Sequence, residues 1–323
     1  MANKILVIGG NGVVGHFVTR QLVGQGERPF VLSRSGDTAL IADVKDRVET
    51  VKGDITDGPG LTAIVKQLGI THVIHLGTIL PAEIDSNPAK GTRVNVEGAA
   101  NVLEAAHVNG VKRVIMASSK AVYGAATGPY GPPGYKGMTE DLRPVPYNVY
   151  GITKLAAEQL ASWYRKHRGL EVTSLRFGAT IGPGKISRHG GNFSRYSVMI
   201  EAPMAGKPVR IESGGDGVCD ALYNDDVARG IVLALQSPTI KHDVYNISAG
   251  TGFTLKQFAA AVKRLYPDAQ IEVGDGLGSN TTNVVMDSTR AREEFGFRVE
   301  GGADQIVSRY VATMKLLGLS PSA

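Results

Sequence analysis

The sequence predicts a doubly wound α/β fold, in which helices cover both faces of a parallel sheet. Two observations lead to this fold class. Short and almost continuously apolar runs alternate with helical patterns through the first half of the chain, which is typical of strands buried on both faces. In addition, 41 glycines are scattered among the 323 residues without a period, as many tight turns between strands and helices require.

The first half of the chain divides into predicted strands and helices in alternation. The predicted strands are residues 3–8, 29–33, 48–52, 72–76, 112–117 and 171–176. The predicted helices are residues 13–24, 58–68, 92–109 and 148–167. Ligands of such a fold are expected beyond the carboxyl ends of the strands.

The regular alternation ends after Arg176. Residues 178–195 are rich in Gly and Pro, and we expect short helices and isolated strands after them. Two amphipathic helices are predicted near the end of the chain, over 254–265 and 303–317.

These patterns indicate two parts of unequal size. We expect a first domain over residues 1–177, which a segment near 214–248 rejoins, and a smaller C-terminal α/β domain that mainly spans 178–323. A helix in the returning segment is expected to be capped by Asn224 or Asp225.

Composition and charge argue against several classes of protein. The formal net charge is +5 without any run of five like charges, and aromatic residues make up 6% of the chain, so a nucleic-acid partner is not expected. No stretch is long enough to cross a membrane, and no signal peptide is recognised, so we expect a cytoplasmic protein without a membrane partner.

No metal site is predicted. Cys219 is the only cysteine, which excludes an intrachain disulfide and a cysteine-based metal site. His72 and His75 lie three residues apart on a predicted strand, where their side chains face opposite sides. The other histidines are scattered.

A Gly-rich turn follows the first strand, with Gly9, Gly12 and Gly15 spaced G-x-x-G-x-x-G. Glycine permits a tight turn, close approach of the backbone to a pyrophosphate, and close packing of helix on strand. A helix beginning near Val13 would point its amides at the phosphates. An ordinary turn is the alternative, but the strand before and the helix after it favour a Rossmann-type dinucleotide site. The predicted cofactor contacts in the turn are Gly9, Asn11, Gly12, Val13, Val14 and Gly15.

The end of the second predicted strand bears on the choice of nucleotide. An NAD-specific site carries Asp or Glu there, whereas this chain has Ser33 and Arg34. A hydroxyl and a guanidinium would bind a 2′-phosphate that a carboxylate would repel. We therefore predict NADP as the cofactor, with NAD as the alternative if Arg34 is a solvated loop residue.

Further cofactor contacts are predicted at the ends of later strands. Asp54 is placed to accept a hydrogen bond from the adenine amino group, although it equally suits a turn or helix cap. Small residues after the fourth strand let the backbone lie along the cofactor. The remaining predicted cofactor contacts are Ile55, Leu76, Gly77, Thr78, Tyr150, Lys154, Phe177 and Thr180.

Tyr150 and Lys154 are four residues apart on a predicted helix, so both side chains emerge on one face. The tyrosine reference pKa is about 10, and a nearby ammonium together with an oxidised nicotinamide would favour the phenolate. Ser118 and Ser119 end the fifth predicted strand, and one of them is expected to donate to the substrate oxygen. The spacing does not decide between the two serines.

Six motifs occur in a characteristic order: GGNGVVG, GDITD, NVEGAANVLEAA, SSKAVYG, YGITK and LYNDDVA. With these motifs, and with YNISAG and FGFR near its end, the chain resembles the extended short-chain dehydrogenase/reductases, the NAD-dependent epimerase/dehydratase family. The resemblance implies that Ser119 is the catalytic serine, Tyr150 the acid/base and Lys154 its electrostatic partner. It also implies that the second domain holds a small-molecule substrate and that helices 92–109 and 148–167 form a homodimer.

Departures from the family pattern reduce the number of activities that we expect for this chain. Family dehydratases carry an Asp-Glu pair where this chain has Lys120 and Ala121. Members acting on nucleotide-diphosphate sugars often carry Arg where Cys219 precedes Asp220 here. The predicted function is therefore an NAD(P)-dependent oxidoreductase of a small hydroxyl or carbonyl substrate. A sugar epimerase with tightly held cofactor is the first alternative, and a non-catalytic dinucleotide sensor is the second.

The motifs do not specify the substrate or the preferred direction of reaction. Basic residues between 178 and 211 form either an anion pocket or ordinary solvated charges, and the long loop 124–149 is expected to contact substrate. The predicted substrate contacts are Thr78, Ser119, Tyr130, Lys185 and Arg188, with Tyr135 and Lys136 as further candidates.

Overall fold

A computed structural model describes residues 3–186, 194–279 and 281–322. Its strands in chain order are β1 (Ile5–Ile8), β2 (Phe30–Ser33), β3 (Glu49–Lys52), β4 (His72–His75), β5 (Arg113–Ser119), β6 (Val172–Phe177), β7 (Ala179–Ile181), β8 (Val209–Ile211), β9 (Ala221–Tyr223), β10 (Val244–Ile247) and β11 (Ile271–Val273). All six predicted strands are present, which confirms this part of the sequence analysis.

The main sheet has seven parallel strands in the order β10-β6-β5-β4-β1-β2-β3. The chain order reverses between β1 and β4, which is where a doubly wound sheet forms its ligand crevice. The predicted fold class is confirmed. The sheet also takes up β10, a strand from the returning segment, which pairs with β6 from Val244↔Ser174 to Ile247↔Phe177.

Helices connect these strands and cover the sheet. They are α1 (Gly15–Gly24), α2 (Gly58–Leu68), α3 (Pro81–Ser86), α4 (Pro88–Thr92), α5 (Gly98–Val108), α6 (Val149–Arg168), α7 (Arg195–Met204), α8 (Asn224–Gln236), α9 (Leu255–Leu265), α10 (Thr289–Phe295) and α11 (Ala303–Leu316). Tight turns of 3₁₀ helix span Ala39–Arg47, Lys120–Val122 and Gly128–Tyr130, and a π-helical turn, Arg93–Glu97, joins α4 to α5.

Local sequence explains where several helices begin. Asn148 precedes α6 and accepts a hydrogen bond from the backbone N–H of Gly151 at 2.8 Å. Thr254 and Gln257 form a reciprocal capping box at the start of α9. These two caps define the starts of α6 and α9, two helices that the sequence predicts well.

The expected cap of α8 is wrong. Neither Asn224 nor Asp225 caps this helix, because α8 already begins at Asn224 after the extended residue Tyr223. The buried Asn224 side chain instead donates from Nδ2 to the carbonyl of Val13 at 2.9 Å. This tertiary hydrogen bond ties the returning helix to the Gly-rich turn.

Alternate residues of β1 reach two different cores. Ile5 and Val7 pack with α1 and α8 on one face, whereas Leu6 and Ile8 pack with α2 and α5 on the other. All four side chains are at most 2% exposed. The near-continuous apolar run of this strand is thus explained by burial on both faces.

The C-terminal part adds two small parallel sheets, β8 with β11 and β7 with β9. The two late amphipathic helices are present as α9 and α11, which pack against each other. Within the described ranges no helix is long and apolar enough to cross a membrane. The division into two domains at residue 177 stays a prediction.

Candidate active site

A cleft with a volume of about 960 Å³ lies at the carboxyl ends of the main-sheet strands. Every predicted cofactor contact lines this cleft, from the Gly-rich turn to Phe177 and Thr180. Ser119, Tyr150 and Lys154 line it as well, together with Lys185. The cleft therefore brings the predicted cofactor and catalytic residues to one place.

The Gly-rich turn has no room for side chains at its ends. Gly9 has a φ of +79°, which L side chains rarely adopt. A Cβ added to Gly15 would lie 2.0 Å from the carbonyl oxygen of Gly9 and 2.7 Å from the Cα of Gly10. The start of α1 thus packs directly on the turn, leaving a cradle of backbone that suits a pyrophosphate.

We expect the substitution Gly15→Ala to weaken dinucleotide binding about 5- to 150-fold, because its methyl group would push α1 away from the turn by a clash typically worth about 1–3 kcal/mol. Titration with NADPH and NADH, followed by fluorescence, measures the effect. Gly24→Ala at the other end of α1 is the matched control, since its added Cβ meets nothing within 4 Å. Equal affinity in both variants would contradict the assignment of the turn.

The end of β2 presents Ser33 and Arg34 to the cleft. Ser33 Oγ accepts a hydrogen bond from the backbone N–H of Gly36 at 3.1 Å, and Arg34 is exposed. Both residues that the sequence singles out at the end of this strand therefore line the cleft.

Asp54 is a turn residue that also lines the cleft. Its Oδ1 accepts hydrogen bonds of 2.9 Å from both the backbone N–H and the hydroxyl of Thr56. Burial acts to raise the pKa of Asp54, but these hydrogen bonds and the guanidinium groups of Arg34 and Arg93 lower it. Both expectations for this carboxylate, turn formation and a place beside the cofactor, are compatible with its position.

Asn95 supports the backbone that follows β4, a role that the sequence analysis missed. It is 4% exposed, and its Oδ1 accepts hydrogen bonds from the N–H of Ile79 at 2.7 Å and the hydroxyl of Thr78 at 3.0 Å. Its Nδ2 donates to Thr153 Oγ1 on α6 at 3.1 Å. Asn95 therefore couples the cofactor side of the cleft to the helix that carries Tyr150.

Ser119, Tyr150 and Lys154 come together where β5 ends beside the first turns of α6. Tyr150 is 9% exposed, and a hydrogen bond links it to Ser119. The Lys154 ammonium donates to the carbonyl of Ala117 at 3.0 Å and lies 5.7 Å from the centre of the Tyr150 ring. One hydroxyl, one phenol and one ammonium thus line the same cleft.

Burial changes the acidities of this group. It raises the pKa of Tyr150 to about 12, and the hydrogen bond with Ser119 opposes this change. It also lowers the pKa of Lys154 to about 8, against the effect of the Glu158 carboxylate. The sequence alone predicts a lowered pKa for this tyrosine from the nearby positive charges, and the structure differs because the phenol is removed from water.

The two serines that end β5 have different hydrogen-bond partners. The Ser118 side chain donates to Glu158 Oε1 at 2.5 Å, within a buried ion pair between Glu158 and Arg176. Ser119 is the serine that hydrogen-bonds Tyr150. The two serines, which the spacing does not distinguish, therefore have different partners in the structure.

The remaining predicted residues lie in different places. Tyr130 packs against a small cluster around Met138 and Met286 rather than lining the cleft. The hydroxyl of Tyr135 accepts a hydrogen bond from the backbone N–H of Val218 at 3.4 Å, and Lys136 is exposed. Arg188 lies outside the described residues.

His72 and His75, which lie three residues apart on β4, have different environments. His72 Nδ1 lies 2.9 Å from the hydroxyl of Thr71, while burial and the charge of Lys154 lower the pKa of His75 to about 3. Among the residues that the structure describes, no group of three or more His, Cys, Asp or Glu side chains could hold a metal ion.

Comparison with known proteins decides the family. The sequence model of the NAD dependent epimerase/dehydratase family matches residues 5–248. The chain belongs to this family. As a member of the NAD dependent epimerase/dehydratase family it is an enzyme of the extended short-chain dehydrogenase/reductase type, and the predicted recognition is confirmed.

Similar proteins within the family carry out two kinds of reaction. The chain is 27% identical to a UDP-glucose 4-epimerase of Lactobacillus helveticus over 91% of its own length and 92% of the relative's. It is 26% identical to a mitochondrial L-threonine 3-dehydrogenase of Bos taurus over 94% of its length and 81% of the relative's. The crystal structure of a Thermus thermophilus UDP-glucose 4-epimerase in complex with NAD superposes with a TM-score of 0.82 at 25% identity, covering 97% of this chain and 99% of that one.

Proposed function

We propose that this enzyme transfers a hydride between a nicotinamide dinucleotide and a carbon of a small hydroxyl or carbonyl substrate. The observation that carries the proposal is the meeting of Ser119, Tyr150 and Lys154 in the cleft that the Gly-rich turn also lines. Relatives that include a dehydrogenase and an epimerase bound to NAD support the same chemistry.

Each side chain of the group has a distinct role in the proposed reaction. A nicotinamide dinucleotide, when bound, supplies or accepts the hydride. The Ser119 hydroxyl donates a hydrogen bond to the substrate oxygen and holds its carbon in place. In the reducing direction Tyr150 gives its phenolic proton to the oxygen of the carbonyl group, and in the oxidising direction it takes that proton back. Lys154 holds the cofactor ribose and stabilises the phenolate.

The pKa values suit proton donation by Tyr150. With a pKa raised to about 12 by burial, the phenol is protonated at neutral pH and ready to donate to a carbonyl oxygen. With a pKa lowered to about 8, Lys154 is still mostly charged at pH 7. In the oxidising direction the positive charge of an oxidised nicotinamide adds to that of Lys154 and favours the phenolate.

We further propose NADP as the cofactor, with NAD as the alternative. Ser33 and Arg34 at the cleft mouth support NADP, since a hydroxyl and a guanidinium complement a 2′-phosphate. The relative that is bound to NAD supports the alternative.

The substitution Arg34→Asp is expected to weaken NADPH binding about 10- to 100-fold and to improve NADH binding, because it replaces a charge-assisted hydrogen bond by repulsion. Direct titration with both nucleotides measures the ratio of their dissociation constants. Arg28→Asp is the matched control, because Arg28 precedes the opposite end of β2 and pairs with Glu49. An unchanged ratio in the Arg34 variant would show that this residue does not read the phosphate.

Epimerisation is the second candidate function, supported by the epimerase relatives. The same residues would oxidise a carbinol and return the hydride to the other face. The protein is first denatured after purification, and any released nucleotide is identified by mass spectrometry. A native sample that has been freed of nucleotide without denaturation is then titrated with NADPH and NADH. Stoichiometric NAD retained through purification would favour the epimerase, whereas reversible and tighter NADPH binding would favour the oxidoreductase.

We also propose that the enzyme is a homodimer and that its smaller C-terminal part holds the substrate. Large apolar side chains on the proposed dimer helices support the first point: Val108 at the end of α5 and Ile152 and Trp163 on α6 are 53%, 53% and 45% exposed. The C-terminal part as the substrate site is supported by three of its residues that line the cleft, Lys185, Arg195 and Cys219.

A further inference from the structure

Two lysines reach the substrate side of the cleft from different elements. Lys120 directly follows Ser119 at the end of β5, and Lys185 follows β7. Both are half-buried and line the same cleft as the catalytic group. Arg195, at the start of α7, lines this side as well. Cations from three elements thus face the space beside the reacting centre.

The hydrogen-bond partners of these ammonium groups in the described part of the chain include two backbone carbonyls and the sulfur of Cys219. Lys120 Nζ donates to the carbonyl of Thr282 at 2.7 Å and lies 3.4 Å from the sulfur of Cys219. Lys185 Nζ donates to the carbonyl of Thr180 at 2.5 Å. Within residues 3–186, 194–279 and 281–322, neither lysine forms an ion pair with an acid.

The carboxylate of Asp220, the residue after Cys219, accepts hydrogen bonds from the backbone. Asp220 is fully buried, and its two oxygens accept hydrogen bonds from the backbone N–H groups of Ala249 at 2.9 Å and Met286 at 3.1 Å. It does not line the cleft. Burial raises the pKa of the Asp220 carboxyl to about 6, and the Lys120 ammonium acts to lower it, but no ion pair joins a described acid to either lysine.

Half-buried charges of one sign are unfavourable without a counter-charge. Their mutual effect is visible here, because burial and the Lys120 ammonium both lower the pKa of Lys185, to about 8, against the influence of Cys219. A negatively charged ligand group would relieve this repulsion.

We infer that Lys120 and Lys185 bind a carboxylate of the substrate, so that the molecule reduced or oxidised here is a small hydroxy or keto acid. This inference rests on the proposed function. Two separate ammonium groups match the two oxygens of one carboxylate, and the sulfur of Cys219 lies 3.4 Å from Lys120 Nζ. Since Lys120 adjoins Ser119, the acid and the reacting oxygen belong to one small molecule.

Binding of matched probes tests the inference without relying on turnover. The full-length protein, saturated with NADP⁺, is titrated calorimetrically with malonate, its neutral analogue malonamide and inorganic phosphate. We expect malonate to bind best, malonamide to bind at least about tenfold more weakly, and Lys120→Gln and Lys185→Gln each to weaken malonate binding about tenfold or more. Lys112→Gln is the matched control, because Lys112 is exposed and precedes the other end of β5.

Several outcomes would overturn the inference: equal binding of malonate and malonamide, unchanged affinity in both lysine variants, or phosphate as the preferred ligand. Thermal unfolding of each variant shows whether a loss of binding reflects a loss of fold. A panel of hydroxy acids and their amides with NADP⁺ then tests turnover. Absence of hydride transfer from every compound would count against the proposed function, while the binding result would still decide the anion site.

The pH dependence of malonate binding gives a second readout. The described groups that face Lys185 are Lys120 and Cys219, with Arg195 and Tyr196 of α7 on the same cleft wall. With a pKa of about 8, Lys185 is charged below that pH and loses its charge above it. Malonate affinity should fall about tenfold from pH 7 to pH 9 in the wild type, and less in Lys185→Gln. The same titration of Cys219→Ser separates the contribution of the thiol, and an unchanged pH profile in Lys185→Gln would contradict the assignment.

Discussion

The substitution Tyr150→Phe is expected to lower turnover by about 10²–10⁴-fold, the range typical of losing a positioned general acid or base. Phenylalanine keeps the ring that packs at 9% exposure beside Lys154, but it removes the only atom of the side chain that can exchange a proton. Cofactor affinity should stay within about threefold of the wild-type value. Steady-state kinetics and nucleotide titration measure the two quantities separately.

Tyr164→Phe is the matched control for this variant. Tyr164 lies on the same helix, and its hydroxyl donates to the Glu104 carboxylate at 2.7 Å on the exposed side. It should therefore retain full activity. Wild-type turnover in the Tyr150 variant would remove the phenol from the mechanism, and parallel losses in both variants would point to a general effect on α6.

We expect Glu158→Ala to reduce the free energy of unfolding by about 3–5 kcal/mol, because it leaves a buried guanidinium without its counter-charge. The Glu158 and Arg176 side chains are 5% and 3% exposed, and two hydrogen bonds of 2.9 and 2.7 Å join them. Arg176 also lies 4.7 Å from the centre of the Tyr123 ring. Urea denaturation, with activity measured in parallel, tests this prediction.

The activity of the Glu158 variant should fall as well. Glu158 on α6 accepts a hydrogen bond from the hydroxyl of Ser118 on β5. It therefore links the two elements that bring Tyr150 and Ser119 together. Glu97→Ala is the control, since its 3.9 Å pair with Arg93 is exposed and should contribute less than about 1 kcal/mol. If Glu158→Ala lowers the free energy of unfolding by less than about 1 kcal/mol, the buried ion pair does not hold α6 against the sheet.

The sequence predicted those parts of the fold and of the candidate site whose signals are local. The strand, Gly-rich turn and helix at the start of the chain follow from adjacent residues, and so does the shared face of Tyr150 and Lys154. Arg34 at the end of β2 was found in the same way. Each of these patterns predicts the structure correctly because the residues that form it are close in sequence.

The remaining features depend on contacts between distant residues. Glu158 and Arg176 are indistinguishable from surface charges until α6 is packed on β6. The pKa of Tyr150 follows from its burial, which no spacing gives. Asn224 carries a helix-cap residue type, yet its side chain is engaged across the fold. The backbone partners of Lys120 and Lys185 likewise become visible only when separate elements meet.

The hydrogen bond from Asn224 to Val13 has a consequence for how the chain can be divided. The Gly-rich turn is encoded near the start of the chain, but one of the groups that steadies it arrives from the returning segment, 211 residues later. The same segment supplies β10, which completes the sheet edge beside β6. A polypeptide ending at residue 177 would lack both, so we expect it to hold the Gly-rich turn less firmly than the full chain does.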